Sequence, residues 1–202
     1  MKVRTEARRE AILEVASQVF LEFGFERTSM SEIVKRIGGS KSTIYGYYPS
    51  KEALFVAVTH AAGEKHMDAA VAEMAAYAGG DLGQVLTRFA EKLVAFLCSD
   101  ETVSVHRMVL GEAGHSDVGQ LFYDGGPKRG LTVIAEVFRQ AMERGELRRE
   151  EPWIMAQHFG ALINAENQYR WFCRDVAPLT KPQIKRTAER AVAVFLRAYA
   201  ID

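Results

Sequence analysis

Helical periodicity runs through this chain almost from end to end, punctuated by glycine and proline. Ile12, Val15, Ala16, Val19, Phe20 and Phe23 recur at i, i+3, i+4, the stripe of a helix that buries one face. Arg8, Arg9, Glu10, Glu14 and Glu22 lie mostly off that stripe. A second stripe is Leu82, Val85, Leu86, Phe89, Leu93 and Leu97, and a third is Leu131, Ile134, Ala135, Phe138, Ala141 and Met142. The last segment carries Ile184, Ala188, Ala191, Phe195 and Ala198, spaced 4, 3, 4, 3. That is a narrow seam of the kind that meets a partner helix, and small alanines let two helices approach closely. The period-two alternation of a half-buried strand is nearly absent, so an all-α fold of about nine helices is expected.

Local signals set the boundaries. Gly24 follows the first stripe, where a left-handed stop is wanted. Ser29-Met30-Ser31-Glu32 has capping-box spacing, Ser29 as cap and Glu32 reaching back. The helix it opens runs to about Ile37, where Gly38-Gly39 breaks it, and Ser40 caps a third short helix that Pro49 ends. Ser50 caps a long helix to about Tyr77, and Asp81 to about Cys98 is the next. Then come Glu101 to about Glu112, short pieces around Val118–Tyr123, and a helix that Gly145 ends. Pro152 suits a first helical turn, and its helix is expected to reach about Arg174. There is no internal repeat and no low-complexity tract.

Composition narrows the function. The chain has 202 residues and zero formal net charge, enough for a sizeable core and one or two domains. The charge is unevenly placed: residues 1–51 hold nine Lys/Arg against six Asp/Glu, and the remainder holds 17 against 20. A modestly basic head on an acidic body fits a small nucleic-acid-binding module joined to something else. No apolar run of about 18 residues is present, so no membrane span is expected. The start, MKVRTEARREAILEV, lacks a secretory pattern, which predicts a cytoplasmic protein. Cys98 and Cys173 form no CxxC pair, so two reduced thiols are expected and no disulfide or zinc site. The histidines at 60, 66, 106, 115 and 158 never fall at i, i+4, the spacing that puts two metal ligands on one helical face. No metal and no cofactor are expected. No nucleophile elbow or Gly-rich phosphate loop is present, so no enzyme is expected either.

The stretch GGSKSTIYGYYPSKEAL, Gly38 to Leu54, carries most of the functional information. Lys41, Ser42, Thr43, Tyr45 and Tyr47 are donors or stacking groups on the predicted third helix, while Ile44 and Tyr48 are spaced to pack inward. Two short helices joined by a tight glycine turn read as a helix-turn-helix. Small residues at the start of the second of these allow close approach to a major-groove floor. The tyrosine hydroxyls, Lys51 and the free amides opening the fourth helix suit phosphates. Spacing alone leaves open a polar helical hairpin with no ligand.

The run FGFERTSMSEIVKRIGGSKSTIYGYYPSKEALF resembles the N-terminal signature of TetR-family transcriptional regulators. The matching positions are Gly24, Phe25, Thr28, Ser29, Ile33, Gly38, Ser40, Tyr45, Tyr48, Lys51, Glu52 and Leu54. Departures are Val34 and Ile37 where small alanines are usual, Gly39 where Val or Ile is usual, Ser42 where Gly is frequent, and Gly46 where a large side chain is common. Ile37 is expected to compensate for the packing that Gly39 loses. The resemblance implies a DNA-binding domain over residues 1–50 and an effector-binding and dimerisation domain over residues 51–202. It implies a homodimer on a palindromic operator in double-stranded DNA, acting as a repressor released by a small apolar or aromatic effector. Carried over residue by residue, Lys41, Ser42 and Thr43 face bases, and Thr28, Ser29, Tyr45, Tyr47 and Lys51 hold phosphates.

Past residue 55 the likeness is looser. RMVLGEAGHSDVGQLFYDGGPKRGL and GELRREEPWIMAQHFGAL are similar to the C-terminal domain of the AefR-like branch, which implies a helical effector-binding body and no particular effector. Candidate effector contacts are Phe89, His106, Leu110, Phe122, Phe138, Asn164, Asn167, Gln168 and Trp171. Aromatics and amides interleaved after Pro152 suit a pocket wall, and equally a dimer interface or ordinary core. The seam Ile184, Ala188, Ala191, Phe195 and Ala198 is expected at the dimer interface, with packing on the chain's own body as the alternative. Two other readings use the same residues: an all-α ligand-binding protein that keeps the head as scaffold, and a helical enzyme.

Overall fold

The computed structural model describes residues 5–38 and 40–201. Ten α-helices run through them: α1 Glu6–Arg27, α2 Met30–Ile37, α3 Lys41–Tyr47, α4 Lys51–Ala75, α5 Leu82–Leu97, α6 Asp100–Glu112, α7 Val118–Gly125, α8 Pro127–Glu143, α9 Pro152–Ala165 and α10 Lys181–Tyr199. A 3₁₀ turn, Gln168–Trp171, lies between α9 and α10. The helix beyond the expected nine is α7, which the sequence shows only as short apolar pieces. An isolated antiparallel bridge joins Leu147 and Ala200, and no strand is formed among the described residues. No helix there is long and apolar enough to cross a membrane.

The helix starts follow the local signals. Ser29 accepts from the Glu32 amide at 3.2 Å, Ser40 from Thr43 at 3.2 Å, Ser50 from Ala53 at 3.1 Å and Asp81 from Gln84 at 2.9 Å. Each cap satisfies an orphan amide and contributes about 1 kcal/mol. The capping box at Ser29 is half made, because the Glu32 carboxylate accepts from Arg36 Nε at 3.1 Å. Gly24 has φ 76° and ψ 171°, an extended conformation on the positive-φ side. It therefore kinks α1, and the chain resumes one further turn to Arg27.

The helix predicted from Pro152 to Arg174 stops instead at Ala165. Asn164 and Asn167 carbonyls take i+3 amide bonds from Asn167 and Arg170 at 2.9 and 3.0 Å, tightening the chain into the 3₁₀ turn. Glu166 is drawn to α10, accepting from Arg190 Nε at 2.6 Å and Thr187 Oγ1 at 3.0 Å. Buried Arg170 donates to the Ala177 carbonyl at 2.8 Å. These tertiary bonds override a sequence pattern that continues to read as helix.

Packing divides the described residues into two units. The first takes the chain through Glu64 and adds Ser104–Gly126; the second holds Lys65–Val103 and the chain from Pro127 onward. This partition differs from the expected functional division at residues 50 and 51, since it falls inside α4 and α6. In the first unit Ile12, Ala16, Val19, Ile33 and Leu54 are completely buried. Phe55 meets the rings of Phe20 and Phe25 edge-on at 5.0 and 5.1 Å, and Val109 and Val118 join this core.

The second unit packs α5, α8, α9 and α10 around an aromatic centre. Phe195 lies 4.7 Å from Phe138, 5.1 Å from Phe159 and 5.0 Å from Tyr199, centroid to centroid. Each such phenylalanine contributes roughly 1.5–3 kcal/mol by burial. Gly83 lets α10 approach α5 closely, since a Cβ there would lie 3.2 Å from Leu196 Cδ1.

Candidate nucleic-acid interface

Gly38 closes α2 with φ 69°, and Ser40 opens α3. Gly39 lies outside the described residues, and so does its expected packing deficit. Ile37 is half-buried against the first core. Ser40 Oγ also pairs with Ser42 Oγ at 2.9 Å and Thr43 Oγ1 at 2.8 Å, a hydroxyl cluster at the helix start. Ile44 and Tyr48 are buried, fixing which side of α3 faces inward. Lys41, Ser42 and Tyr45 are exposed and Thr43 is partly so. A Cβ on Gly46 would meet nothing within 4 Å, so this position adds open backbone and no side chain.

Lys35, Arg36 and Lys41 outnumber Glu22 and Glu32 on and beside α2 and α3. Arg36 donates to Glu22 at 2.6 Å and to Glu32 at 3.1 Å; these hydrogen bonds raise the arginine's pKa and hold the Glu22 carboxyl below its ordinary value. The pairs are solvent-exposed and contribute little stability, and the one guanidinium offsets one of the two carboxylates. Lys35 and Lys41 make no ion pair among the described residues. Burial pushes the Tyr48 hydroxyl up, so it stays protonated and neutral.

The eight residues assigned to DNA divide into two groups. Ser29, Lys41, Ser42, Thr43 and Tyr45 reach the surface of α2 and α3. Thr28, Tyr47 and Lys51 are engaged inside the fold. Thr28 is buried, its hydroxyl donating to the Gly24 carbonyl at 2.7 Å and its amide to Phe25 O at 3.3 Å. Tyr47 Oη accepts from the Thr5 amide at 2.9 Å. Lys51 Nζ donates to Phe25 O at 2.9 Å and sits 4.1 Å from the centre of the Phe25 ring. The kink at Gly24 leaves α1 carbonyls without helical partners, and Thr28 and Lys51 supply donors to them. Arg8, which the sequence marks only as lying off the α1 stripe, donates from Nη2 to the Gly38 carbonyl at 2.6 Å. Its i+3 spacing from the Thr5 cap was the available signal.

The candidate effector residues fall into separate settings. In the first unit His106 meets the Phe122 ring edge-on at 5.5 Å, and Leu110 is 55% exposed. In the second, Phe89 and Phe138 are buried in the aromatic core. At the 3₁₀ turn Asn167 is 6% exposed and its Nδ2 has no hydrogen-bond partner, while Asn164 and Trp171 are half-buried and Gln168 is exposed. No group of three or more His, Cys, Asp or Glu able to hold a metal occurs among the described residues.

The α10 seam requires a correction. Ala188 and Phe195 are 0% exposed and Ala191 is 5% exposed within the single chain. Ile184 packs half-buried on the same core, and only Ala198 is exposed. The seam therefore packs on its own body, chiefly on α5 and α9. Its close alanine spacing serves that contact.

Two family models match the chain. "Bacterial regulatory proteins, tetR family" matches residues 12–58, and "AefR-like transcriptional repressor, C-terminal domain" matches residues 84–201. The regulator RutR of Escherichia coli (strain K12) is 44% identical over 52 residues, 26% of this chain and 24% of that protein. The match thus spans about a quarter of this curated relative. A TetR-family regulator of Mesorhizobium loti MAFF303099 shares the fold with TM-score 0.84 at 24% identity, covering 99% of this chain and 100% of the other. The flavonoid-responsive regulator FrrA is 27% identical with TM-score 0.77, over 97% of this chain and 98% of the other.

Proposed function

The chain belongs to the TetR family of DNA-binding transcriptional regulators, and we propose that it is an operator-specific repressor released by a small apolar or aromatic effector. Regulators of this family are not enzymes; they bind DNA as dimers and respond to small molecules. One observation carries the DNA assignment: α3 buries Ile44 while Lys41, Ser42 and Tyr45 are exposed and Thr43 is partly so. Hydroxyls and a lysine at the start of a recognition helix suit base edges, and Tyr45 and Ser29 suit phosphates. Thr28 and Lys51 support the same surface from within by holding the end of α1. In this reading residues 1–50 bind DNA in the cytoplasm, and residues 51–202 bind effector and partner.

The homodimer forms through the outer faces of α9 and α10, which carry Ile154, His158, Ala161 and Ala165, with Val194 and Ala198, all exposed in the single chain. Small and apolar residues at that spacing allow close helix–helix approach. Polar recognition of the effector falls to Asn167, whose buried amide lacks a partner, with Asn164, Gln168 and Trp171 beside it in sequence. The name of FrrA, flavonoid-responsive, supports an aromatic ligand. Repression follows the description of the C-terminal family model. The effector acts through differential affinity for DNA-bound and free states.

The test is titration of the protein into DNA from upstream of its own coding sequence, with Lys41→Ala and Tyr45→Ala in parallel. Both variants are expected to fold normally and lose operator binding. Unchanged binding in both contradicts the proposal.

A further inference from the structure

The first turn of α1 is tied to the recognition helix at two points. The Thr5 amide donates to Tyr47 at the last residue of α3, and Arg8 donates to Gly38 at the start of the turn before α3. Thr5 and Arg8 are one helical turn apart on one side of α1. We propose that Arg8 is a further DNA contact, a guanidinium clamped beside the recognition helix to receive a backbone phosphate. The proposal rests on the DNA-binding reading above.

An arginine has five N–H donors in a fixed fork. Among the described residues this one spends a single donor, on Gly38, and forms no ion pair. The nearby Glu6 carboxylate is engaged by Arg9 at 2.8 Å, so it does not neutralise Arg8. The side chain is partly exposed, and its clamp removes rotamer freedom before any ligand arrives. An anchored, planar cation therefore binds a phosphate with little further ordering cost. Charge-assisted, bidentate pairing with phosphate oxygens is the chemistry that arrangement suits. The same clamp explains why Tyr47 turns inward: its hydroxyl positions the turn that presents Arg8.

The salt dependence of binding separates a DNA contact from a purely structural clamp. Wild type, Arg8→Ala, Arg8→Lys and Arg8→Gln are titrated into own-upstream DNA and into mixed-sequence duplex DNA at several salt concentrations, with Tm measured for each. A phosphate contact predicts that Arg8→Ala lowers the slope of log K against log salt by about 0.9 per protomer. It also weakens both DNAs by the same factor, and Arg8→Lys retains the wild-type slope. A wild-type slope in Arg8→Ala, with a lowered Tm that Arg8→Gln restores, overturns the proposal and leaves Arg8 a turn clamp. If Arg8→Ala does not fold, the Lys and Gln variants decide: a lower slope for Gln alone supports the contact, and equal slopes overturn it. Absence of wild-type binding to either DNA would remove the DNA-binding reading itself, a failure distinct from a changed or unchanged slope.

Discussion

Helices α3 and α10 both carry sequence patterns that read as surfaces, and they use them in opposite directions. α3 has seven residues and buries Ile44 alone, so Lys41, Ser42 and Tyr45 are left at the surface while Tyr47 bonds back to the start of α1. α10 has 19 residues and buries Thr187, Ala188, Ala191, Val192 and Phe195 in its own unit, which consumes the seam expected for a second chain. The difference has a physical cause. Apolar spacing fixes which face of a helix must be buried, but it carries no information about which helix covers it. A polar face needs no partner to be identified as exposed.

The largest effect that could break this comparison is Phe195→Ala. With its ring among Phe138, Phe159 and Tyr199, truncation is expected to cost about 3–5 kcal/mol, measured by urea unfolding. A cost near zero accompanied by dissociation of the dimer would return the seam to an interface. In α3, Ile44→Ala is expected to lose about 2–4 kcal/mol because the residue is buried. Tyr45→Ala in the same helix should stay within about 0.5 kcal/mol and lose DNA affinity instead. Equal stability losses in the two would erase the inward and outward faces assigned to α3.

Smaller effects sharpen the contrast. Gly46→Ala adds a methyl to open space inside α3 and is expected to stabilise by about 0.5–1 kcal/mol, read as a raised Tm. Destabilisation would contradict the open setting of Gly46. Smallest is the Glu166–Arg190 pair on the solvent side of α10. The hydrogen bond from Arg190, and a lesser one from Thr187, hold the Glu166 carboxyl below its ordinary value of 4.5 against a smaller opposing effect of burial. A depressed folded-state pKa contributes stability above the ordinary value and loses it as pH falls through the folded value. Because both partners are substantially exposed, the contribution is at most about 1 kcal/mol. Urea midpoints of wild type and Glu166→Gln should therefore differ near neutrality and converge in acid. A gap independent of pH would assign the effect to packing.

Much of the head was legible because its determinants are local. Ser29 and Ser40 each cap the helix that follows, as Ser50 and Asp81 do further along, and Ile44 and Tyr48 pack inward as their spacing requires. What could not be read locally depends on residues distant in sequence. The end of α9 is fixed by Glu166 reaching Thr187 and Arg190, 21 and 24 residues away. Lys51 is drawn to carbonyls that exist only because Gly24 kinks α1, and Tyr47 to an amide 42 residues before it. Lys51 is used as a donor and Tyr47 as an acceptor, and in both cases the partner is set by tertiary structure. The candidate effector residues are the least decided by sequence, since an aromatic stripe such as Phe89 and Phe138 looks the same in a core as in a pocket wall.

The most direct test of the account is DNA binding at two salt concentrations, comparing own-upstream DNA with mixed-sequence duplex. The prediction is a preference for the upstream DNA on the order of 10³-fold or more, largely abolished in a Lys41→Ala variant that retains wild-type Tm, while Tyr45→Ala weakens binding to both DNAs by the same factor. A single shared salt slope with no preference for either DNA, unchanged by those substitutions, would contradict it.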